Sequence, residues 1–190
     1  MQRAKWVPWS EVEYLRAERE GVLRHEYLAG QIFAMAGGSK AHNIIAGNVF
    51  ATLKAFLRGR PCRAFIADMK VRLKHAQSYY YPDVVVTRHP GDMAPEGPVD
   101  YITEPALIID VLSASTETTD RREKLPAYMR LPGPVEYVLI DSSKRQIEIY
   151  RKAETGEVVQ EIPAPGESVN VDSVGLCLTF EAIYEDSGVD

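Results

Sequence analysis

Eight residues constrain this chain more than any others. From Pro105 to Leu112 it reads Pro-Ala-Leu-Ile-Ile-Asp-Val-Leu, apolar almost throughout. A run of this kind suits a strand in a sheet covered on both faces. Its single charge is Asp110. An unpaired carboxylate buried there costs several kcal/mol, so the fold has to supply a metal, a cationic partner or a raised pKa. A second run has the same character. Tyr79 to Val86, rich in aromatic and β-branched residues, carries Asp83 as its lone carboxylate. If the two strands pair, both side chains can point into one cleft. Each aspartate also has a plainer reading. Asp83, after Pro82, can bond backbone N–H groups near a strand start, and Asp110 can pair with an arginine.

Around these runs the pattern predicts alternating helices and strands. Ser10 and Glu13 have capping-box spacing, and Trp9 with Tyr14 has the spacing of a hydrophobic staple, so a helix runs from Ser10 to near Gly21. Ala29-Gly30 separates two short apolar runs as a hairpin would. After Gly37-Gly38, Ser39 caps a second helix whose stripe is Ile45, Val49, Leu53 and Phe56, stopped by Gly59. Phe65 to Leu73 alternates as one half-buried strand. Thr87 to Glu104 reads as a long polar loop. Thr116 to Arg130 is helical, with a capping box at Asp120 and Glu123 and a kink or shift at Pro126. Val135 to Ile140 and Gln146 to Tyr150 are strands, and residues 151–190 form short strands and a terminal helix or tail. The expectation is one domain over residues 1–190, with its core at about 10–150. Its class is α/β (α+β), a central mixed sheet flanked by helices, with an N-terminal helix and hairpin.

Several further residues are candidates for chemistry. Lys124 follows the Asp110 strand and shares a helix face with Asp120 and Tyr128. Aimed at the carboxylates, it would neutralise charge on a phosphate or orient an attacking water; a solvated helix face is the plainer alternative. Glu26 is a carboxylate on the hairpin. His42 shares a face with Ile45 and Val49, which favours a packed or capping histidine over a ligand, since no second His or Cys has metal-ligand spacing to it. Ser113, Ser115 and Thr116 can meet phosphate oxygens or simply cap a helix. Lys70, Arg72 and Lys74 alternate as a basic stripe or a solvated strand face.

Composition narrows the options. The net charge of −5 disfavours a protein that merely coats nucleic acid, but a bound metal supplies positive charge that this sum omits. No stretch is long and apolar enough for a membrane span, and residues 1–10 do not read as a signal peptide; the lack of a disulfide framework suits a reducing cytoplasm. Cys62 and Cys177 are isolated and read as small core residues. P-loop, GxGxxG, HExxH and GxSxG signatures are all missing.

Four segments together resemble the Uma2 family: Tyr-Tyr-Pro-Asp-Val-Val-Val; Pro-Ala-Leu-Ile-Ile-Asp-Val-Leu-Ser-Ala-Ser-Thr; Asp-Arg-Arg-Glu-Lys-Leu-Pro-Ala-Tyr; and Glu-Tyr-Val-Leu-Ile-Asp. Upstream, His-Glu-Tyr-Leu-Ala-Gly-Gln-Ile and Gly-Gly-Ser-Lys-Ala-His-Asn fit as well, and the likeness spans about residues 10 to 150. The resemblance implies a restriction-endonuclease-like fold of the PD-(D/E)xK superfamily and a Mg²⁺- or Mn²⁺-dependent endonuclease acting on nucleic acid, with DNA first in view and a homodimer by superfamily habit. It assigns Asp83 and Asp110 to the metal and adds Lys124 and Glu26 to the catalytic set. His42, Ser113 and Lys70 fall around that set, near substrate or behind the ligands. Two positions depart from the pattern. Leu112 stands where the superfamily places its lysine, so that role moves to Lys124 or is absent. Gln31 stands where the family commonly has Glu. These departures keep open an alternative, a catalytically degenerate nuclease fold serving as a binding or assembly module.

Overall fold

The computed structural model describes residues 7–35, 37–153 and 155–190. Most of the segment judged for a signal peptide, residues 1–6, lies outside the described residues. In chain order the helices are α1 (Glu11–Glu20), α2 (Lys40–Phe56), α3 (Pro90–Met93), α4 (Glu117–Thr119), α5 (Leu125–Tyr128) and α6 (Phe180–Tyr184). The strands begin with β1 (His25–Leu28), β2 (Gln31–Ala34), β3 (Arg63–Ile66), β4 (Lys70–Leu73), β5 (Ser78–Tyr80), β6 (Val84–Thr87) and β7 (Tyr101–Ile102). They continue with β8 (Pro105–Leu112), β9 (Val135–Asp141), β10 (Ile147–Lys152), β11 (Val158–Glu161), β12 (Ser168–Val171) and β13 (Leu176–Thr179).

A six-stranded sheet, ordered β11-β10-β9-β8-β6-β3, forms the centre. It is mixed, because β8 and β9 run parallel while β6–β8 and β9–β10 are antiparallel. Every residue of β8 is buried, as its apolar run requires. Alternate residues explain why. Leu107, Ile109 and Val111 pack with Ile45, Val49 and Leu53 of α2 and with Phe180 of α6. Ile108 and Leu112 face the other way, onto Val71 and Leu73 of β4 and Tyr128 of α5. A five-stranded sheet, β2-β1-β5-β4-β7, therefore covers one face of the central sheet, and α2 with α6 covers the other. The mixed α+β class, with its N-terminal helix and hairpin, is as expected.

Local signals act where their physics is strong. Ser10 accepts from Glu13 N–H at 3.2 Å and Glu13 accepts from Ser10 N–H at 2.9 Å, closing the capping box of α1. Ala29 (φ 44°) and Gly30 (φ 94°) are both left-handed, the two-residue turn that matches strand twist in a hairpin. Ser39 caps α2 through His42 N–H at 3.2 Å. That helix ends at Phe56, just before Gly59.

Four expectations need correction. The strand read over Phe65–Leu73 is two strands in different sheets, broken where Ala67 turns left-handed at φ 58°. Tyr79–Val86 also divides: β5 joins the five-stranded sheet, β6 the central one, and Pro82, which cannot donate to a ladder, marks the crossing. The long loop holds α3 and β7, stapled by buried Asp92, which accepts from Thr103 N–H at 2.9 Å and Glu104 N–H at 3.0 Å. The cysteines differ: Cys62 is half-buried and packs against the core, whereas Cys177 is exposed and is not a core residue.

Candidate functional site

The crossing from β5 to β6 and the end of β8 open a cavity of about 330 Å³. The antiparallel register pairs Val84 with Ile109, so one step further places Asp83 across from Asp110. Opposed residues share a sheet face, so both carboxylates reach the same cavity, as their lining positions show. Asp83 is half-buried and precedes β6 instead of lying inside a strand. Its Oδ2 accepts from Val111 N–H at 2.7 Å, the strand-start bond that its plainer reading anticipated. From the opposite side, His42 Nε2 at the start of α2 lies 3.2 Å from the same oxygen. That contact, the largest influence, holds the imidazole pKa above its ordinary value against the opposing pull of burial.

Asp110 is 3 % exposed. Tyr137, on neighbouring β9, donates its hydroxyl to Oδ2 at 2.6 Å, and Lys124 Nζ lies 3.5 Å from Oδ1. Burial nevertheless pushes the Asp110 carboxyl up to about 7, with Lys124 opposing and the nearby Asp120 and Asp83 charges adding to the rise. Among the described residues no arginine pairs with it; its cationic neighbour is Lys124.

Lys124 is 6 % exposed, so it does not belong to a solvated helix face. Its ammonium sits 3.0 Å from Asp120 Oδ1, 3.2 Å from Glu26 Oε1 and 3.5 Å from Asp110 Oδ1. Burial disfavours the charge, but the surrounding Asp110, Glu26 and Asp120 outweigh it and keep the amine protonated well above its usual range. A π-helical turn at Asp120–Lys124 presents this lysine. Leu125 N–H bonds Asp120 O, five residues back, and Pro126 has no N–H to continue an α register. The expected kink at Pro126 thus takes the form of a π bulge. The expected Asp120–Glu123 capping box is not formed: Asp120 is helical, buried and turned onto Lys124. Its Oδ1 makes no well-aligned hydrogen bond, and the buried Tyr128 hydroxyl beside the cluster makes none either.

Glu26, on β1, accepts from Tyr81 N–H at 3.2 Å as well as meeting Lys124. It is not a merely exposed acid. Ser113 lines the cavity, its Oγ 3.0 Å from Ser115 Oγ. Lys70 is not at the cavity wall and forms no solvated stripe. It is buried on β4 and donates to Tyr81 OH at 3.2 Å, which in turn donates to Glu18 at 2.8 Å. Arg72 pairs instead with Glu11 at 2.7 Å. Gln31 is exposed and stands apart from the cavity lining. Leu112 packs in the core on the same face of β8 as Asp110, and it is Lys124 that brings an ammonium to Asp110.

Sequence reasoning missed Asp120, Tyr137 and Gly38. Asp120 was legible in its four-residue spacing to Lys124, which puts the two on one helix face. Tyr137 was hidden, because only the β8–β9 register brings it to Asp110. A Cβ on Gly38 would lie 2.7 Å from His42 Nδ1, so the absence of a side chain there gives the imidazole its room.

Together these features define an α+β protein whose mixed central sheet carries an acidic cavity beside a buried lysine. A crystal structure from Anabaena variabilis, titled a "putative nuclease belonging to DUF820", has the same fold. It superposes with a TM-score of 0.70 over 84 % of this chain and 89 % of that one, at 18 % identity. The chain belongs to the Uma2 family, whose model, described as "Putative restriction endonuclease", matches residues 11–181. Two relatives from Synechocystis are similar along most of their length. "Uncharacterized protein slr1290" is 34 % identical over 90 % of this chain and 89 % of its own, and "Uncharacterized protein sll1609" is 32 % identical over 74 % and 78 %. Among the described residues, no helix is long and apolar enough to cross a membrane.

Proposed function

We propose that the cavity is the active site of a divalent-metal-dependent endonuclease that hydrolyses phosphodiester bonds in nucleic acid, with DNA the first substrate to test. One observation carries this reading, the charge imbalance of the lining. Glu26, Asp83, Asp110, Asp120 and Glu123 face one cavity with Lys124 and His42 as the basic side chains among them. Such a lining attracts a cation, and the raised Asp110 carboxyl takes up a proton in its place.

The donor set fits a hard ion, because its anionic groups are all carboxylate oxygens. Asp83 and Asp110 would hold Mg²⁺ or Mn²⁺, with Glu26 as an outer ligand. A hard ion of this kind keeps several waters, so these few carboxylates would complete its shell together with solvent. When bound, the ion lowers the pKa of a water and polarises the phosphate. Lys124 supplies fixed positive charge that stabilises the phosphate as its charge grows. Tyr137 orients Asp110 through its hydroxyl bond. His42 positions Asp83 through its Nε2 contact, and Ser113 offers a hydroxyl to a phosphate oxygen. Lys70 acts from behind, through Tyr81, whose backbone N–H steadies Glu26.

The test is hydrolysis of single-stranded and duplex DNA and RNA with Mg²⁺ or Mn²⁺, beside Asp83→Ala and Asp110→Ala. Metal-dependent cleavage lost in both variants supports the assignment, and cleavage that survives both overturns it. A second reading, a binding or assembly module, is favoured because no group of three His, Cys, Asp or Glu comes together as a metal shell among the described residues. Calorimetry with Mn²⁺ separates the two: saturable binding abolished by Asp83→Ala favours the enzyme.

A further inference from the structure

The cavity has a second wall, unlike the first. Around Glu26, Leu28, Phe33 and Ala34 of the hairpin, and Met35 just after it, present apolar surface to the same cavity. Phe33 is 48 % exposed and Met35 43 %, although both border a charged cluster. Phe33 pairs in register with Glu26, so its ring shares a sheet face with an acid held 3.2 Å from Lys124. No other ring among the described residues stacks on it, whereas Tyr14, Tyr27, Tyr79 and Tyr101 form a packed series nearby. An open aromatic face beside phosphodiester chemistry is what a nucleobase stacks on.

Size and the accessibility of the base face favour one form of nucleic acid. A cavity of about 330 Å³ is at the small end for sites that enclose one compact ligand. A duplex carries a negative charge about every 1.7 Å along its axis and is held by several lysines or arginines. The lining offers one lysine, already shared by three carboxylates, and the chain has a net charge of −5. A base still paired inside a duplex cannot turn its face to Phe33. An unstacked one can, with its phosphate toward Asp83 and Asp110.

We propose that Phe33 is a stacking platform for a single unpaired nucleobase, which makes the substrate class single-stranded nucleic acid rather than intact duplex. The inference rests on the nuclease reading for its phosphate and adds the base-binding wall.

The experiment measures fluorescence anisotropy of a 5′-labelled 12-nucleotide single strand, and of the same strand annealed to its complement. The full chain is used with Ca²⁺ present and Mg²⁺ absent, so that binding is read apart from cleavage. Single-strand binding at least about tenfold tighter than duplex is expected. Phe33→Ala should weaken the single strand by about 5- to 150-fold, the range spanned by one base–aromatic stack. Phe33→Trp should retain binding, and duplex affinity should stay flat across the series. Phe33 is half exposed, so unchanged circular dichroism of both variants is expected and establishes that they fold. Equal binding of duplex and single strand, no single-strand binding at all, or unchanged affinity in Phe33→Ala would each overturn the proposal. The two readings fail separately. Phe33-dependent binding without hydrolysis in Mg²⁺ or Mn²⁺ defeats the nuclease alone, and duplex cleavage indifferent to Phe33→Ala defeats the platform alone.

Discussion

Two carboxylates lie on neighbouring strands of the central sheet, both almost fully buried: Asp110 on β8 at 3 % exposure and Glu136 on β9 at 2 %. Their surroundings differ. Glu136 accepts from Arg151 Nε at 2.8 Å, Ser173 Oγ at 2.6 Å, Ser173 N–H at 3.0 Å and Asp172 N–H at 3.3 Å. Asp110 receives one tyrosine hydroxyl and an ammonium that Glu26 and Asp120 share. Glu136 has fixed donors enough to offset its desolvation; Asp110 does not, and its pKa rises to about 7. The contrast separates a carboxylate tied into the fold by many donors from one that the fold leaves short of them. Asp92, with Thr87, Thr103 and Glu104 around it, falls on the Glu136 side.

The contrast breaks most directly at Glu136. Glu136→Ala is expected to destabilise by about 3 kcal/mol, the low end for breaking a buried pair, because Arg151 keeps Glu161 and Asp172. Urea titration measures this, and cleavage per folded molecule should be unchanged. A selective loss of cleavage in a stable Glu136→Ala protein would end the distinction. Asp110→Asn should do the opposite. Cleavage falls by at least about a hundredfold, while metal-free stability at pH 8 is higher by about 1–2 kcal/mol. The rise in Tm that Mn²⁺ gives the parent protein should vanish with it.

The same pair shows how far the sequence can be read. Val-Glu-Tyr-Val-Leu-Ile has the lone-carboxylate pattern of Leu-Ile-Ile-Asp-Val-Leu, so the pattern alone cannot tell Glu136 from Asp110. What separates them is the donors that Arg151 on β10 and Ser173 before β13 bring, across distances in the chain that no local signal encodes. Short-range features were legible: the capping box of α1, the Ala29-Gly30 turn and the covered strand β8. The sheet changes at Ala67 and Pro82 were not, because alternation reports which way side chains point and not which sheet pairs the strand. Lys124 was legible as a helix position, yet its burial among three acids depends on the π turn and on the hairpin folding over it.

A smaller effect tests whether the open side of the cluster, unlike the closed Glu136 site, depends on geometry held from outside. Gly38→Ala places a Cβ 2.7 Å from His42 Nδ1 and 3.0 Å from its Cγ, so the imidazole must turn. Turning it loosens the 3.2 Å contact with Asp83. The expected outcome is a fall of about tenfold in cleavage, one hydrogen-bonded contact's worth near 1.4 kcal/mol, together with a lower His42 pKa by NMR titration. Unchanged Tm with both shifts present would localise the effect to the site. Unchanged His42 titration would remove Asp83 as the cause of its raised pKa.

The finest test is the dependence of stability on pH. An Asp110 carboxyl near 7 when folded and near its ordinary 3.8 when unfolded keeps a proton that the unfolded chain has lost across that window. The folded state then binds more protons, so stability is fully present below about pH 4 and is lost as pH rises toward 7. His42, also raised, adds in the same direction, its contribution fading as pH climbs through its folded value. One proton sets the largest slope at about 1.4 kcal/mol per pH unit. Melting curves of the parent protein and Asp110→Asn between pH 4 and 8 should therefore converge at the acid end and separate toward neutrality, with the variant the more stable there. Mn²⁺ should flatten the parent's slope by competing with the proton for the same carboxylate. Parallel curves for parent and Asp110→Asn would mean that Asp110 does not hold its proton to higher pH in the folded state, and the metal reading of the cavity would lose that support.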